Sequence, residues 1–250
     1  GQWLYASILY ALAIIGFSGG NVFYDALLVA VTKEDQHHRI SALGFALGYL
    51  GGGILFAINV AMTLKPEVFG LADAGEAVRW SFVTVALWWA IFSVPLFLWV
   101  PEPEAESSTP SGSIAASGFQ SLKETFRNLR QHRVAFRFLI AYWLYIDGVD
   151  TIVRMAVAYG TDIGLDSTSM IKALLLTQFV GFPSAIVFGR IGEKIGAKTG
   201  IFISIGIYSA VTIYAYFMTN ATEFYGLAIC IGLVQGGIQT LSRSMYSQLI

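Results

Sequence analysis

The chain has 250 residues, a net charge of −1, 56% hydrophobic side chains and only 12% charged ones. A soluble domain carries about 25% charge, so there is too little polar surface here to coat a water-soluble globule. The near-neutral balance also excludes a basic nucleic-acid-binding protein. With a mean hydropathy of +0.65, the composition is that of an integral membrane protein. It is read as all-α, because lipid leaves open strands with unsatisfied backbone groups.

A spanning helix needs about 20 mostly apolar residues. Seven stretches meet that length: 2–31, 40–64, 79–100, 134–158, 169–189, 199–219 and 223–243. No basic segment precedes the first, so it is not a signal peptide. The first stretch holds Asn21 and Asp25 one turn apart, near its C-terminal end. Asp25 is a proton acceptor or part of a gate, or simply an interfacial carboxylate beside the loop 32–39. In the second stretch Gly44, Gly48 and Gly52 form a small-x-x-x-small ladder, a pattern that lets helix backbones touch. Gly16 and Gly20, and Gly232 and Gly236, repeat the spacing. Pro95 in the third stretch and Pro183 in the fifth are possible kink points.

Between the third and fourth stretches lies the long connection 101–133. Its first part, from Pro101 to Gly118, is rich in Pro, Ser, Gly and Ala and reads as a flexible linker. Ser121 to Glu124 has the spacing of a capping box. Phe119, Leu122, Phe126 and Leu129 then fall on one helical face, with Lys123, Arg127, Arg130 and Arg133 among or opposite them. The reading is an amphipathic helix on the bilayer surface or a solvated connector.

The fourth stretch carries the costly residues. Asp147, Asp150 and Arg154 are spaced by three and four, so one face can hold all three. Charges in hydrocarbon face a cavity or a partner. Asp147 is expected to belong to a substrate or proton site; Asp150 and Arg154 pair structurally near the outer interface or join that site. Gln178, Gln235 and Gln239, in the fifth and seventh stretches, bind solute or hold helices together.

The loop Gly189-Arg190-Ile191-Gly192-Glu193-Lys194-Ile195-Gly196-Ala197-Lys198 lies between the fifth and sixth stretches. Its pattern, Gly-x-x-x-acid-base-x-Gly-x-base, resembles the loop signature of the major facilitator superfamily, with Glu193 and Lys194 where Asp and Arg are usual. Further segments add to that: Phe23 to Leu28, Arg39 to Gly53, Tyr145 to Ile152, Gln178 to Pro183 and Gly232 to Ser244. Together they resemble the vacuolar amino-acid effluxer-like branch of that superfamily, over essentially the whole chain. The resemblance implies an all-α integral membrane protein, part of a twelve-helix fold of which helices 4 to 10 are present. Residues 1–100 would be the last three helices of the N-terminal bundle, 101–133 a linker, and 134–250 the first four helices of the C-terminal bundle. A match of Ile15–Asn21 with Ile231–Gly237 fits such repeated halves.

Lys and Arg gather in 32–39, 101–133 and 190–198, which would share the cytoplasmic side. The expected protein is thus a multi-pass permease, in a cell (inner) membrane, for small solutes such as amino acids. It would work by alternating access with a proton as possible coupling ion. Gly189, Arg190, Glu193, Lys194, Gly196 and Lys198 would form a gating loop, or only a positive-inside cap. The lipid bilayer is the other expected partner; nucleic acid is not one.

Cofactor and enzyme readings are weak. No metal, phosphate-cradle or nucleophile motif is present; His37 and His38 are adjacent in a loop and point apart, and His132 lies elsewhere. The single Cys230 cannot form an intrachain disulfide. A seven-helix receptor is the alternative, but a retinal protein needs a Lys in its last helix, and 199–250 has none. An intramembrane aspartyl protease would use Asp25 and Asp147, yet lacks a Gly-x-Gly-Asp pattern. Because the chain begins at Gly1 and stops at Ile250 without a polar tail, it is expected to be part of a longer protein.

Overall fold

A computed structural model describes residues 3–100 and 114–249. Eight α-helices follow one another among them: α1 (Trp3–Val31), α2 (His37–Leu64), α3 (Ala74–Trp99), α4 (Ile114–Gln131), α5 (Arg133–Asp162), α6 (Ser167–Ile195), α7 (Ala197–Ala215) and α8 (Ala221–Ser247). Six of these are long and apolar enough to cross a membrane: α1, α2, α3, α6, α7 and α8. The fourth expected span, α5, has 30 residues and so is long enough. It falls short on hydropathy because Arg133, Arg137, Asp147, Asp150, Arg154 and Asp162 interrupt it. The chain is a multi-pass, all-helical membrane protein.

The end of α6 lies against the start of α2, where Gly189 and Gly192 meet Ala42 and His38. Lys33, Arg39, Arg190, Lys194 and Lys198 therefore gather at one end of the bundle, the basic end. Three helices that start at the opposite end, α3, α6 and α8, are capped by side chains. Asp73 accepts the Glu76 N–H at 2.7 Å while Glu76 accepts the Ala72 N–H at 2.7 Å. Asn220 accepts from the Glu223 N–H at 3.0 Å and Glu223 from the Thr219 N–H at 2.8 Å. Such reciprocal boxes satisfy the orphan donors of a first turn. Asp166 accepts both the Ser169 hydroxyl, at 2.7 Å, and its backbone N–H, at 2.9 Å. Those two bonds, the hydroxyl's first, hold its carboxyl below the ordinary range.

Several boundaries differ from the sequence reading for identifiable reasons. α2 begins at His37, so the loop 32–39 shrinks to a short link containing a 3-10 turn, Glu34–Gln36. α4 begins at Ile114, which places Ser121 inside the helix; the Ser121–Glu124 capping box does not form. Ala, Ser and Gly before it are compatible with helix once the apolar face continues, and the composition alone hid that. Most of the expected linker, 101–113, lies outside the described residues. α6 runs through Ile195, so the expected loop 190–198 contracts to Gly196, whose φ of 85° is a conformation that side chains other than glycine rarely adopt.

α8 is the centre of the bundle: 56% of its most apolar window is buried, against none of those of α1 and α3. It packs on α6, α7 and α2, and α2 in turn packs chiefly on α6 and α8. Lipid tails are as apolar as leucine, so helices here associate through close van der Waals fit rather than water expulsion. The fit depends on glycines. A methyl at Gly189 would lie 2.5 Å from the Ala42 Cβ, and one at Gly192 2.5 Å from Leu241. A methyl at Gly236 would lie 3.0 Å from the Ala185 Cβ, and one at Gly237 would enter the Phe188 ring. The expected ladder on α2 is looser: nothing approaches Gly48, and Gly16 and Gly20 on α1 are equally open. α1 and α3 instead present large apolar side chains, Phe82 and Phe97 among them, outward as a bilayer would solvate them. A polar bond, Thr84 Oγ1 to Asn59 Oδ1 at 2.9 Å, ties α3 to α2.

Candidate functional site

The charge that crosses between helices is Arg243, one turn from the basic end of α8. Its Nε lies 3.3 Å from Asp25 Oδ1 on α1. The arginine side chain is 11% exposed and the aspartate side chain 53%, so the cation is the embedded half of the pair. The guanidinium lies over the Tyr24 ring at 4.6 Å and the Phe45 ring at 5.6 Å. Both positions suit cation–π attraction, which strengthens as water is removed. Nε is close to the carboxylate yet makes no aligned hydrogen bond among the described residues, so the contact is one of charge rather than of directed bonding.

One turn back along α8, Gln239 Oε1 accepts the Tyr49 hydroxyl of α2 at 2.7 Å. Gln178 of α6 reaches the same part of α2, beside Gly52 and Gly53. Two of the three glutamines are thus joined to α2. Gln235, half-buried on α8, lies one further turn away on the Gln239 side. Tyr145 of α5 bonds Ser242 at 2.6 Å, and Ser242 in turn donates to the Ile238 carbonyl. The faces of α1, α2, α5 and α8 near the basic end therefore share one polar band.

Nearer the end, α2 and α8 are latched by histidine and serine. His37 Nδ1 is 2.9 Å from Ser247 Oγ, and His38 Nδ1 is 2.7 Å from Ser244 Oγ. Ser41 donates to the Thr240 carbonyl at 3.1 Å. His37 is fully buried. The two histidines stand on a helix rather than in a loop, and each finds its own partner. Among the described residues no group of His, Cys, Asp and Glu is arranged to hold a metal.

The α5 charges do not enter this band as a unit. Asp150 and Arg154 approach to 3.9 Å, with side chains more than half exposed. The two residues pair along one face of α5 and touch no other charged side chain among the described residues. Asp147 is exposed at mid-helix. Asn21 is likewise exposed, one turn from Asp25. Around Gly189 and Gly196 the side chains of Arg190, Glu193, Lys194 and Lys198 are exposed, and none is in an ion pair among the described residues. In the same segment Gly189 and Gly192 let α6 meet His38 and Ala42 of α2, and Leu241 of α8. A separate apolar cavity of about 500 Å³ lies among α5, α6, α7 and α8 toward the far end, with Tyr159 bonded across it to the Ala215 carbonyl.

Sequence reasoning singled out Asp25 and Gln239 but missed Arg243, His37, His38, Ser244 and Ser247. The signal for Arg243 was present, a lone cation at the end of an apolar run. Its partner sits 218 residues earlier, and no local pattern links the two.

The family profile described as "Vacuole effluxer Atg22 like" matches residues 29–250. The chain belongs to the Atg22-like family. It is 40% identical over its whole length to an uncharacterised MFS-type transporter, YxiO, of Bacillus subtilis, and covers 58% of that protein. It is 27% identical over 241 residues to autophagy-related protein 22 of Yarrowia lipolytica, covering 85% of this chain and 40% of that one. Against autophagy-related protein 22-2 of Aspergillus clavatus the identity is 26%, over 85% of this chain and 38% of the relative. This Atg22-like chain thus spans between 38% and 58% of the length of these relatives. No solved structure matches it. The family match contains α2 to α8, hence Arg243 and the histidine–serine latch, and begins just after Asp25.

Proposed function

We propose that the protein is a secondary transporter of the major facilitator type, moving small solutes such as amino acids by alternating access. In this reading α1–α3 close an N-terminal six-helix bundle, 101–133 is the cytoplasmic connection with α4, and α5–α8 open the C-terminal bundle. The basic end faces the cytoplasm, as the Lys and Arg distribution asks, and the membrane is the cell (inner) membrane. The observation that carries the reading is the Asp25–Arg243 pair. It joins a helix before the connection to the last helix after it. Around it, the two halves meet through α2 on a seam of glycines and short hydrogen bonds. A seam of that kind can separate without tearing an interdigitated core. Membership in a family of effluxers, rather than of enzymes, supports the same conclusion.

Asp147 supports it from another direction. A carboxylate at the middle of a long helix is costly in hydrocarbon and is retained where it meets water or solute. The test is uptake by the full-length protein in proteoliposomes, with radiolabelled amino acids inside or outside. Uptake is expected, and Asp147→Asn should abolish it without lowering membrane yield. A bound chromophore, peptide cleavage, or no solute movement would refute the proposal. Full transport by Asp147→Asn would remove that residue from it.

A further inference from the structure

We infer that Arg243 is a specificity-determining residue: its guanidinium binds the carboxylate of the solute, and Asp25 occupies that position until the solute displaces it. The inference rests on the transport reading above and assigns the recognising group within it.

Four observations lead there. First, the guanidinium is held in place while its counterion is not. Arg243 is 11% exposed and Asp25 53%, so the cation is enclosed on more sides than the carboxylate, which has the more room to move. Second, Tyr24 and Phe45 cover the guanidinium at 4.6 and 5.6 Å. Aromatic faces fix the plane of the fork and leave its edges for ligands; a planar fork matches a carboxylate bidentately. Third, the buried Nε makes no aligned hydrogen bond among the described residues, even with Asp25 3.3 Å away. A buried donor left unbonded is costly, so an incoming carboxylate with better alignment gains what Asp25 does not supply. Fourth, the polar groups continue in the right direction. Gln239 and Gln235 follow Arg243 at one-turn intervals, on one helical face. Gln239 uses its carbonyl oxygen for Tyr49 and retains its two N–H donors. The displaced Asp25 would then stand beside the solute, available to a positively charged group on it.

Gly44 adds a steric condition. A methyl there would lie 3.1 Å from the Tyr24 hydroxyl and 4.0 Å from Arg243 Nη1. A side chain at this position would press on the aromatic cover and on the guanidinium together.

The experiment uses the full-length protein in proteoliposomes and a panel of the twenty standard amino acids. For each one that moves, its carboxamide and inorganic phosphate are tested as competitors. The carboxamide should compete at least tenfold more weakly, and phosphate should not match the amino acid. Arg243→Gln should lower uptake more than tenfold, with Arg243→Lys recovering part of it. Asp25→Asn removes the place-holder and should lower KM several-fold, whatever happens to kcat. Equal competition by the carboxamide, stronger competition by phosphate, or an unchanged KM in Arg243→Gln would overturn the assignment while leaving transport intact. If Arg243→Gln fails to fold, Asp25→Asn decides: an unchanged or raised KM refutes the displacement. A wild-type protein that moves none of the panel removes the transport reading and this inference with it.

Discussion

Gly237→Ala is the sharpest test of the glycine-dependent packing. Gly237 sits inside α8, and a Cβ there would enter the ring of Phe188 on α6, a side chain already buried in the core. An aromatic ring cannot yield as a flexible chain end can, so one of the helices must move. Overpacking of this kind costs about 1–3 kcal/mol. Alanine recovers about 0.5–1 kcal/mol of helix preference over glycine, which leaves a net loss of up to about 2.5 kcal/mol, centred at about 1 kcal/mol. Gly48→Ala is the control, since no atom lies within 4 Å of its would-be Cβ. It should gain the preference alone, about 0.5–1 kcal/mol. The two variants make the same chemical change and should differ by about 2 kcal/mol, or roughly 4–8 °C in Tm for a chain of this size. Thermal unfolding of the purified protein in one detergent measures this. Phe188→Leu should rescue Gly237→Ala in a double-mutant cycle. If Gly237→Ala is as stable as Gly48→Ala, or shows no coupling to position 188, the close α6–α8 approach is wrong.

Two further outcomes follow from the polar contacts. Ser247→Ala removes the partner of the buried His37 ring nitrogen, leaving it unsatisfied. The loss should be about 1–3 kcal/mol, read by the same unfolding measurement; an unchanged Tm would deny the latch any weight. The Asp166 cap is pH-dependent. Its folded pKa is depressed, so its contribution is present above the ordinary carboxylate value of 3.8 and is lost as the pH falls through the lower folded value. Protection of the amides at the start of α6, measured by hydrogen exchange relative to the intrinsic rate at each pH, should therefore hold down to about pH 4 and fall below it. Asp166→Asn should remove that dependence, and equal acid sensitivity in the variant would contradict the sign.

Much of the framework is readable because lipid makes sequence unusually explicit. Long apolar runs announce spanning helices, and α1, α2, α5, α7 and α8 lie within four residues of their expected limits. Errors came at the ends. His37 and His38 looked like loop because they are polar; yet α2 starts there, since α8 offers each histidine a serine. Arg190 to Lys194 looked like loop because they are charged, yet they continue α6 past the apolar run. Charge marks where a helix leaves hydrocarbon, not where it stops. Ser121 failed as a cap for a related reason: the capping pattern is local, whereas the helix had already begun seven residues earlier.

The site was half legible. Asp25 and Asp147 stood out because isolated carboxylates are rare in apolar runs, and Gln239 because amides are. Arg243 gained its meaning only when α1 and α8 came together around it. By itself, the sequence determined that the chain is helical, membrane-embedded, basic at one end and Atg22-like, because these follow from composition, periodicity and motifs that each span a few residues. Tertiary structure decided which glycines are close contacts, which carboxylate meets the buried arginine, and which serines hold the histidines. Those depend on residues far apart in the chain, from 49 residues for Gly237 and Phe188 to 218 for Asp25 and Arg243, and distance in the chain carries no trace of distance in space.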